Sequence, residues 1–384
     1  MTKLLTICIP TYKRPETLRR CIDSVAHQIE NFEFTGCIDL HVANDASPDD
    51  TKAVLHAYEK LDYFSGVTRE HNLGMSANIR IMLNEAAKKS TFQLILTDDD
   101  YLQPNILDEV VVFLRKLQSE HNNVPVIWTP RFSYTTDGHL HCVVCNPFKD
   151  SYLVKPSVSN AGKYMNNGFV LSGIILRAEC IDSEFWEQYS ENAYFPMILF
   201  GELLIRSGAY YWNSNIVHHT VLNECHWERW GENDIVIALR LFADYIKAYG
   251  FMAEKAKGGF QSASFYLSSF SSIRARINLF MMSGKFSGHE PNIASAIHEL
   301  NDQGVLRYTP QLRILVLCAL PAITMASLRN IIRSNIAMLI LKKQNREEYR
   351  RASASHMDSL RTLPIIFRLF FPGAPHPRPA ANCE

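Results

Sequence analysis

The sequence predicts an α/β fold, with a mostly parallel, doubly wound sheet flanked by helices and a helical C-terminal extension. Short apolar, β-branched runs alternate four times with amphipathic helical stretches in residues 1–118. The 384-residue chain is 47% hydrophobic and 20% charged, which is typical of a folded globular protein of one large domain or two.

Each of the four repeats has its own sequence evidence. "LLTICIP" is a short buried strand, and the helix after it has Pro15 in its first turn and Leu18 and Ile22 on one face. "IDLHVANDAS" contains a second strand, and "DDTKAVLHAYEKL" is a helix with acidic residues in its first turn. A short strand in "FSGVT" precedes a helix from about Ser76, and the strand "FQLILTDDD" precedes the helix "NILDEVVVFLRKLQ".

Polar clusters follow all four predicted strands. They are "PTYKR", "NDAS", "HNLGMSAN" and "TDDD". The carboxyl ends of parallel strands share one edge of a sheet, and ligands bind there. One Asp after a strand is usually a helix cap, but four polar clusters on one edge predict a binding site.

Three consecutive carboxylates, Asp98, Asp99 and Asp100, end the fourth predicted strand. They repel one another unless a cation offsets their charge, and oxygen ligands suit Mg²⁺ or Mn²⁺. Mg²⁺ completes such sites with water and substrate phosphates, so a metal–diphosphate site is predicted. The alternative is a solvated turn in which Asp100 caps the next helix. No glycine-rich phosphate-binding motif is present in the sequence. A metal would therefore bind the phosphates, assisted by Lys13 or Arg14.

Charge and cysteine usage argue against a nucleic-acid-binding protein and against a protein held together by disulfides. A formal net charge of zero gives no signal for nucleic-acid binding. The nine Cys are scattered, which indicates reduced thiols in a cytosolic protein, and the lone pair Cys142/Cys145 is more typical of structure than of a metal site. The opening "MTKLLTICIP" is a strand rather than a signal peptide.

The stretches "TICIPTYKRPETLRRCIDSV", "NDASPDDT", "NLGMSANIR" and "LILTDDDYLQP" resemble, in order and spacing, the motifs of family-2 glycosyltransferases with the GT-A fold. The resemblance leans toward enzymes of bacterial O-antigen or capsule synthesis, such as abequosyltransferase-like proteins. It implies a Rossmann-like, nucleotide-diphospho-sugar transferase domain over residues 1–240, with a nucleotide-sugar half (1–118) and an acceptor half (119–240). A basic helical region (241–371) and a disordered tail (372–384) would follow.

The resemblance also implies roles for matching residues. Asp45 would contact the base or ribose, and Gly74 would allow close backbone approach. The three Asp would form the DXD element, with Asp99 as the first choice for the metal ligand because Thr97 stands where the family has an Asp. The expected nucleotide-sugar contacts are Pro10, Thr11, Tyr12, Arg14, Asp45, Asn72, Gly74, Asn78, Asp98 and Asp99. The expected metal ligands are Asp99, Asp100 and His218.

The catalytic base does not follow from a motif. Many relatives carry a Glu-Asp pair, but Tyr194, Phe195 and Pro196 fall where it would lie. Inverting transfer needs a base within hydrogen-bond reach of the acceptor hydroxyl. The candidates are Glu191, the nearest upstream carboxylate, and Glu202, which lies in an apolar helical stretch where burial could raise its pKa.

Two further motifs have two interpretations each. Relatives often supply a metal ligand from a His after the acceptor helix, so His218 or His219 is a candidate; the alternative is a pair of His at a strand end without that role. Trp227 and Trp230 in "HWERW" could stack on a sugar, but their spacing favours one face of a packed helix.

The C-terminal region is basic. Residues 305–371 contain eleven Lys or Arg against three Asp or Glu. The apolar run 312–328 contains Pro321 and is shorter than the roughly twenty residues that span a bilayer. The amphipathic stretch "LRNIIRSNIAMLILKK" suits the surface of an anionic membrane; core helices with solvated basic faces are the alternative.

These features and the resemblance predict a glycosyltransferase dependent on Mn²⁺ or Mg²⁺ at the cytoplasmic face of the inner membrane. It would move a sugar, with inversion, from a nucleotide-diphosphate sugar to a hydroxyl of a lipid-linked glycan in surface polysaccharide synthesis. The alternatives are a non-catalytic subunit of a glycan assembly complex and a nucleotidyltransferase. The second is less favoured because "PTYKRPET" lacks a glycine- and lysine-rich loop.

Overall fold

The computed structural model describes residues 2–31, 35–120, 123–134, 140–144, 150–181, 189, 191–220, 235–256, 265 and 269. Its helices are α1 (Pro15–Glu30), α2 (Thr51–His56), α3 (Met75–Ala87), α4 (Leu107–Ser119), α5 (Val158–Tyr164), α6 (Phe195–Arg206) and α7 (Ile235–Lys255). Its strands are β1 (Lys3–Thr11), β2 (Ile38–Asn44), β3 (Phe64–Thr68), β4 (Ser90–Ile95), β5 (Tyr101–Leu102), β6 (Val126–Trp128), β7 (Arg131–Tyr134), β8 (Leu140–Val144), β9 (Tyr152–Val154), β10 (Ile174–Arg177), β11 (Ala209–Tyr211) and β12 (Val217–Thr220).

The main sheet has eight strands in the order β3-β2-β1-β4-β10-β6-β11-β9. The first four strands in this order run parallel to one another, which confirms the predicted α/β sheet. Strand β10 is antiparallel to both β4 and β6, so the sheet is mixed beyond the first four strands. The parallel half carries the predicted polar clusters.

Burial explains why β1 and α1 form and pack together. In β1 the side chains of Leu5, Ile7 and Ile9 are buried on one face and those of Thr6 and Cys8 on the other, as expected for a strand covered on both faces. Helix α1 places its own fully buried residues three or four positions apart, which gives one apolar face. Each such Leu or Ile side chain stabilises the fold by about 1.5–3 kcal/mol.

A second, four-stranded sheet has the order β5-β12-β7-β8. The short strand β5 directly follows the three consecutive Asp and pairs antiparallel with β12. This pairing brings β12, more than 110 residues later in the chain, beside the carboxylates. The acceptor half therefore contributes to the same edge of the main sheet as the first four strands.

Two predicted elements differ in extent. Strand β4 ends at Ile95, so the three Asp lie in the turn after it, where the Asp100 amide donates to the Thr97 carbonyl (3.1 Å). The apolar stretch "GFVLSGIILRAE" reads as one strand in the sequence, but it begins in the 3₁₀ turn Met165–Phe169 and becomes a strand only in β10. Gly173 separates them with a φ of +85°, a conformation that glycine adopts readily.

The chain divides into two compact units, Met1–Trp227 with Glu254–Phe265, and Glu228–Ala253 with Tyr266–Glu384. The first unit contains both sheets. No helix in the described part of the chain is long and apolar enough to cross a membrane. The predicted domain boundaries stay predictions. Trp227, Trp230, the apolar run 312–328 and the tail lie outside the described residues.

Candidate active site

The loops that follow β1 and β2 are tied together at the carboxyl edge of the sheet. The Asp45 amide donates to the Thr11 carbonyl (3.0 Å), and the Lys13 amide donates to Ser47 Oγ (2.9 Å). Lys13 and Ala46 have φ values of 59° and 55°. Such left-handed geometry costs a non-glycine residue about 1 kcal/mol or more and concentrates at functional sites.

Asp45 is buried and organises the loop before α3. Its two carboxylate oxygens accept from the Leu73 amide (2.8 Å) and the Gly74 amide (2.9 Å). Asn72 Nδ2 donates to the Asp45 carbonyl (3.3 Å). Gly74 has a φ of +82°, and a Cβ added there would meet no atom within 4 Å, so open space lies above the backbone. Asp45, Asn72 and Gly74 are therefore brought together as predicted, with Asp45 holding the loop.

The predicted contacts from the end of β1 face the same edge. The Tyr12 side chain is 39% exposed, and the Lys13 ammonium lies 4.9 Å from its ring centroid. Thr11 is buried, and Pro10 is paired with Ala43 of β2. An exposed aromatic ring beside a cation suits stacking by a nucleobase.

Asn78 lies beneath this surface in a polar network. Its Nδ2 donates to the Ala43 carbonyl (2.9 Å), and its Oδ1 accepts from Arg69 Nε (3.0 Å). Arg69 also forms a two-point bond to Glu85, whose carboxylate contacts His41 Nε2 (3.0 Å). Burial acts to raise the pKa of Glu85, but Arg69 and His41 lower it overall. Asn78 is 2% exposed, so the structure gives it a supporting position.

Asp98 and Asp99 share one cation. Arg14 Nη1 lies 2.9 Å from Asp98 Oδ1 and 2.8 Å from Asp99 Oδ2. Burial raises the pKa of Asp98 to about 6; Arg14 opposes this rise and the neighbouring Asp99 adds to it. The structure thus brings together three residues that the sequence assigned to the donor site.

Asp100 is directed to a different set of partners. It accepts hydrogen bonds from the Thr220 amide (2.9 Å) and from Thr97 Oγ1 (3.1 Å), and its Oδ2 lies 2.9 Å from His219 Nδ1. Burial acts to raise the pKa of Asp100, but the charge and hydrogen bond of His219 hold it below its ordinary value. Asp100 therefore links the turn after β4 to strand β12.

His218 points to the opposite side of β12 from His219. Its ring stacks between Tyr101 (centroids 4.2 Å apart) and Tyr134 (3.9 Å). Burial, and then the charge of Arg20, lower the pKa of His218 to about 4, so the ring is neutral at pH 7. The predicted ligand His218 is thus sandwiched between aromatic rings, and it is His219 that contacts Asp100.

The two predicted bases occupy different environments. Glu191 is exposed and precedes Asn192, whose carbonyl accepts from Ser76 Oγ (3.5 Å) at the start of α3. Glu202 lies seven residues into α6, about 10 Å along its axis. Its Oε1 is 3.4 Å from Lys255 Nζ. Of the two, Glu191 is the one whose neighbouring residue contacts the start of α3, just after Gly74.

The donor set at Arg14 fits a divalent cation that arrives with its substrate. No group of three or more His, Cys, Asp or Glu within the described residues could hold a metal alone. The Asp98 and Asp99 oxygens both lie within 2.9 Å of one nitrogen, hence less than about 6 Å apart. One or two carboxylates completed by phosphate oxygens and water are typical of Mg²⁺ sites.

Sequence reasoning missed the supporting contacts of Ser172 and Arg20. Ser172 Oγ accepts from the Thr97 amide (2.8 Å), and Arg20 donates to the Asp99 carbonyl (3.3 Å) and to Thr220 Oγ1 (3.2 Å). His219 was named as an alternative to His218, but its contact with Asp100 was not predicted. Only the alternation of side chains along β12 could have favoured His219, and the sequence does not show which side of that strand faces the carboxylates.

Comparison with known proteins agrees with this geometry. Residues 6–138 match the family model described as "Glycosyl transferase family 2". Residues 1–349 of TarS from S. aureus, solved in complex with UDP-GlcNAc, are 17% identical with a TM-score of 0.54, covering 80% of this chain and 83% of that chain. The UDP complex is 14% identical over the same shares, with a TM-score of 0.52. None of the curated proteins compared with the chain matches it in sequence.

The family match runs from β1 to β7 and includes Arg14, Asp45 and the three consecutive Asp, and the TarS structures share the fold of the chain. The match favours a glycosyltransferase over the nucleotidyltransferase alternative. Residues 6–138 are therefore similar to family-2 glycosyltransferases, and the fold is the GT-A fold of such enzymes.

Proposed function

We propose that the chain transfers a sugar from a nucleotide-diphosphate sugar to a hydroxyl group of a glycan, with Mn²⁺ or Mg²⁺ as cofactor. The observation that carries the proposal is the convergence of Asp98 and Asp99 on Arg14, at the carboxyl edge that also holds Tyr12 and Gly74. Parallel α/β sheets bind nucleotides at this edge.

The donor is assigned to the open space between Tyr12 and Gly74. An exposed ring offers a stacking face for the base, and the Gly74 backbone leaves room for the ribose. TarS 1–349 has been solved in complex with UDP and with UDP-GlcNAc, which makes UDP the first nucleotide to test.

The diphosphate of the donor is assigned to the carboxylate pair, Asp98 and Asp99, and to Arg14. Asp98 and Asp99 would hold the divalent cation, with Asp99 as the main ligand because its side chain is the more exposed, 15% against 6%. When bound, the cation offsets the charge that develops on the leaving diphosphate. The positively charged side chain of Arg14 lies beside the same two carboxylates.

The acceptor hydroxyl needs a base, and Glu191 is the better placed candidate. Its segment is anchored to the start of α3 through Asn192 and Ser76, whereas Glu202 is held by Lys255 further along α6. This placement supports Glu191 as the residue that takes the proton in an inverting transfer.

The acceptor is proposed to be lipid-linked and to belong to bacterial surface polysaccharide synthesis, at the cytoplasmic face of the inner membrane. The support is the sequence resemblance together with the basic composition of residues 305–371. A polybasic, amphipathic region would hold the enzyme near a lipid-anchored substrate.

Donor turnover tests the function. Release of nucleoside diphosphate would be measured from a panel of UDP-, GDP-, CDP- and dTDP-sugars with Mn²⁺ and a set of alkyl glycosides as acceptors. Turnover of one donor class is expected, with kcat reduced about 10²- to 10⁴-fold in Glu191→Gln and changed less than about threefold in Glu202→Gln. Loss confined to Glu202→Gln would move the base to α6, and no turnover of any donor would contradict the proposal.

A further inference from the structure

Arg14 is positioned as a clamp between two carboxylates. A single atom, Nη1, is within hydrogen-bond distance of both Asp98 and Asp99. The three side chains are 21%, 6% and 15% exposed, so water screens them only partly. Charge-assisted bonds of this kind are about twice as strong as neutral ones.

The backbone of Arg14 is fixed, so any movement belongs to its side chain. Arg14 is the residue that precedes α1, and its carbonyl accepts from the Leu18 amide (3.0 Å) in the first turn of the helix. The preceding Lys13 is tied to Ser47. The long arginine stem therefore links a rigid anchor to a charged head group.

A divalent cation and this guanidinium compete for the same oxygens. A metal ligated by both carboxylates must approach each to about 2.0–2.2 Å, which the guanidinium nitrogen between them prevents. Two cations would also repel one another at that distance. The carboxylate pair can be neutralised by Arg14 or by metal, and not by both in this arrangement.

We propose that Arg14 is an internal counter-ion that excludes divalent cations until a nucleoside diphosphate binds. This inference rests on the proposed donor site and assigns an order to its assembly. The diphosphate offers the guanidinium a new anionic partner, for which its planar geometry is suited. Arg14 would then leave the carboxylates, and Asp98 and Asp99 would be free to hold the cation.

The test measures Mn²⁺ binding by electron paramagnetic resonance, in which free Mn²⁺ gives the signal, on the full chain without nucleotide. Arg14→Met removes the charge and keeps the length of the side chain, and Arg14→Lys keeps the charge. Arg19→Met is the matched control, because it removes one positive charge from the exposed side of α1.

Arg14→Met should bind Mn²⁺ at least about tenfold more tightly than wild type, since a neutral side chain leaves the pair uncompensated. Arg14→Lys and Arg19→Met should stay near wild type. Equal Mn²⁺ affinity of Arg14→Met and wild type would overturn the inference, and so would an Arg14→Lys variant that binds like Arg14→Met. Circular dichroism melting of each variant checks that the fold is retained.

A second arm separates this inference from the proposed function. Wild type is titrated with Mn²⁺ in the presence of saturating UDP or GDP, after nucleotide binding is measured directly by calorimetry. Nucleotide-dependent Mn²⁺ uptake in wild type and nucleotide-independent uptake in Arg14→Met support the counter-ion. Nucleotide binding with equal Mn²⁺ affinity in its presence and absence refutes the counter-ion alone, and no nucleotide binding at all refutes the donor site itself.

Discussion

Replacing Asp45 by Asn tests whether the carboxylate organises the donor loop. The two side chains have nearly the same shape, but both Asp45 oxygens accept backbone amides, from Leu73 and Gly74. An Asn side chain can satisfy one of these donors with its oxygen, while its NH₂ group faces the other N–H. The variant therefore replaces one charge-assisted bond by a neutral one and turns the second into a donor–donor contact.

The expected cost follows from burial. Asp45 is 3% exposed, so water does not replace the lost bond. Hydrogen bonds to charged groups contribute about 1.5–3 kcal/mol each, and an unsatisfied buried donor costs about 1–3 kcal/mol. We expect Asp45→Asn to lower the free energy of unfolding by about 2–4 kcal/mol.

Urea unfolding measures this change, with Asp49→Asn as the control. A single oxygen of Asp49 accepts both the amide and the hydroxyl of Thr51, so an Asn oxygen can take its place. The control should therefore cost less than about 1 kcal/mol. An Asp45→Asn variant as stable as the control would refute the role given to the second oxygen.

Two further predictions concern the other carboxylates. His219→Gln should lower the free energy of unfolding by about 2–3 kcal/mol because it weakens the bond to buried Asp100. His218→Gln, on the other side of β12, should lower it less. Equal urea midpoints of the two variants would contradict this prediction. For Asp98, the folded-state pKa of about 6 lies above its ordinary value, so the folded state binds the proton first and stability rises as pH falls from about 7 toward 5. Wild type should gain about 1 kcal/mol over that range relative to Asp98→Asn, measured as the difference between their unfolding free energies; a constant difference would show that Asp98 is not perturbed.

The sequence was sufficient for the local features of the first four strands. Their apolar runs, the helices between them and the polar residues at their ends are encoded within a few residues of one another. Since parallel strands end at one edge, the grouping of Tyr12, Asp45, Gly74 and Asp99 followed without knowledge of the contacts.

Long-range pairing was not accessible in the same way. The antiparallel pairing of β10 with β4, the pairing of β12 with β5 and β7, and the contact of Asp100 with His219 join residues between about 80 and 120 positions apart. The choice between His218 and His219 depends on which side of β12 faces the carboxylates, and a shift of one residue would reverse it. The position of Arg14 between two carboxylates depends on a side-chain conformation that no motif specifies.

Binding of the donor diphosphate at the edge around Asp98, Asp99 and Arg14 can be measured by calorimetric titration. UDP, GDP, CDP and dTDP are titrated, with and without Mn²⁺, into wild type and Asp99→Ala. One nucleotide is expected to bind wild type in the presence of Mn²⁺, and Asp99→Ala is expected to lose at least about tenfold in affinity, or 1.4 kcal/mol. Equal affinity of wild type and Asp99→Ala would place the diphosphate elsewhere, and binding of none of the four would contradict the donor site.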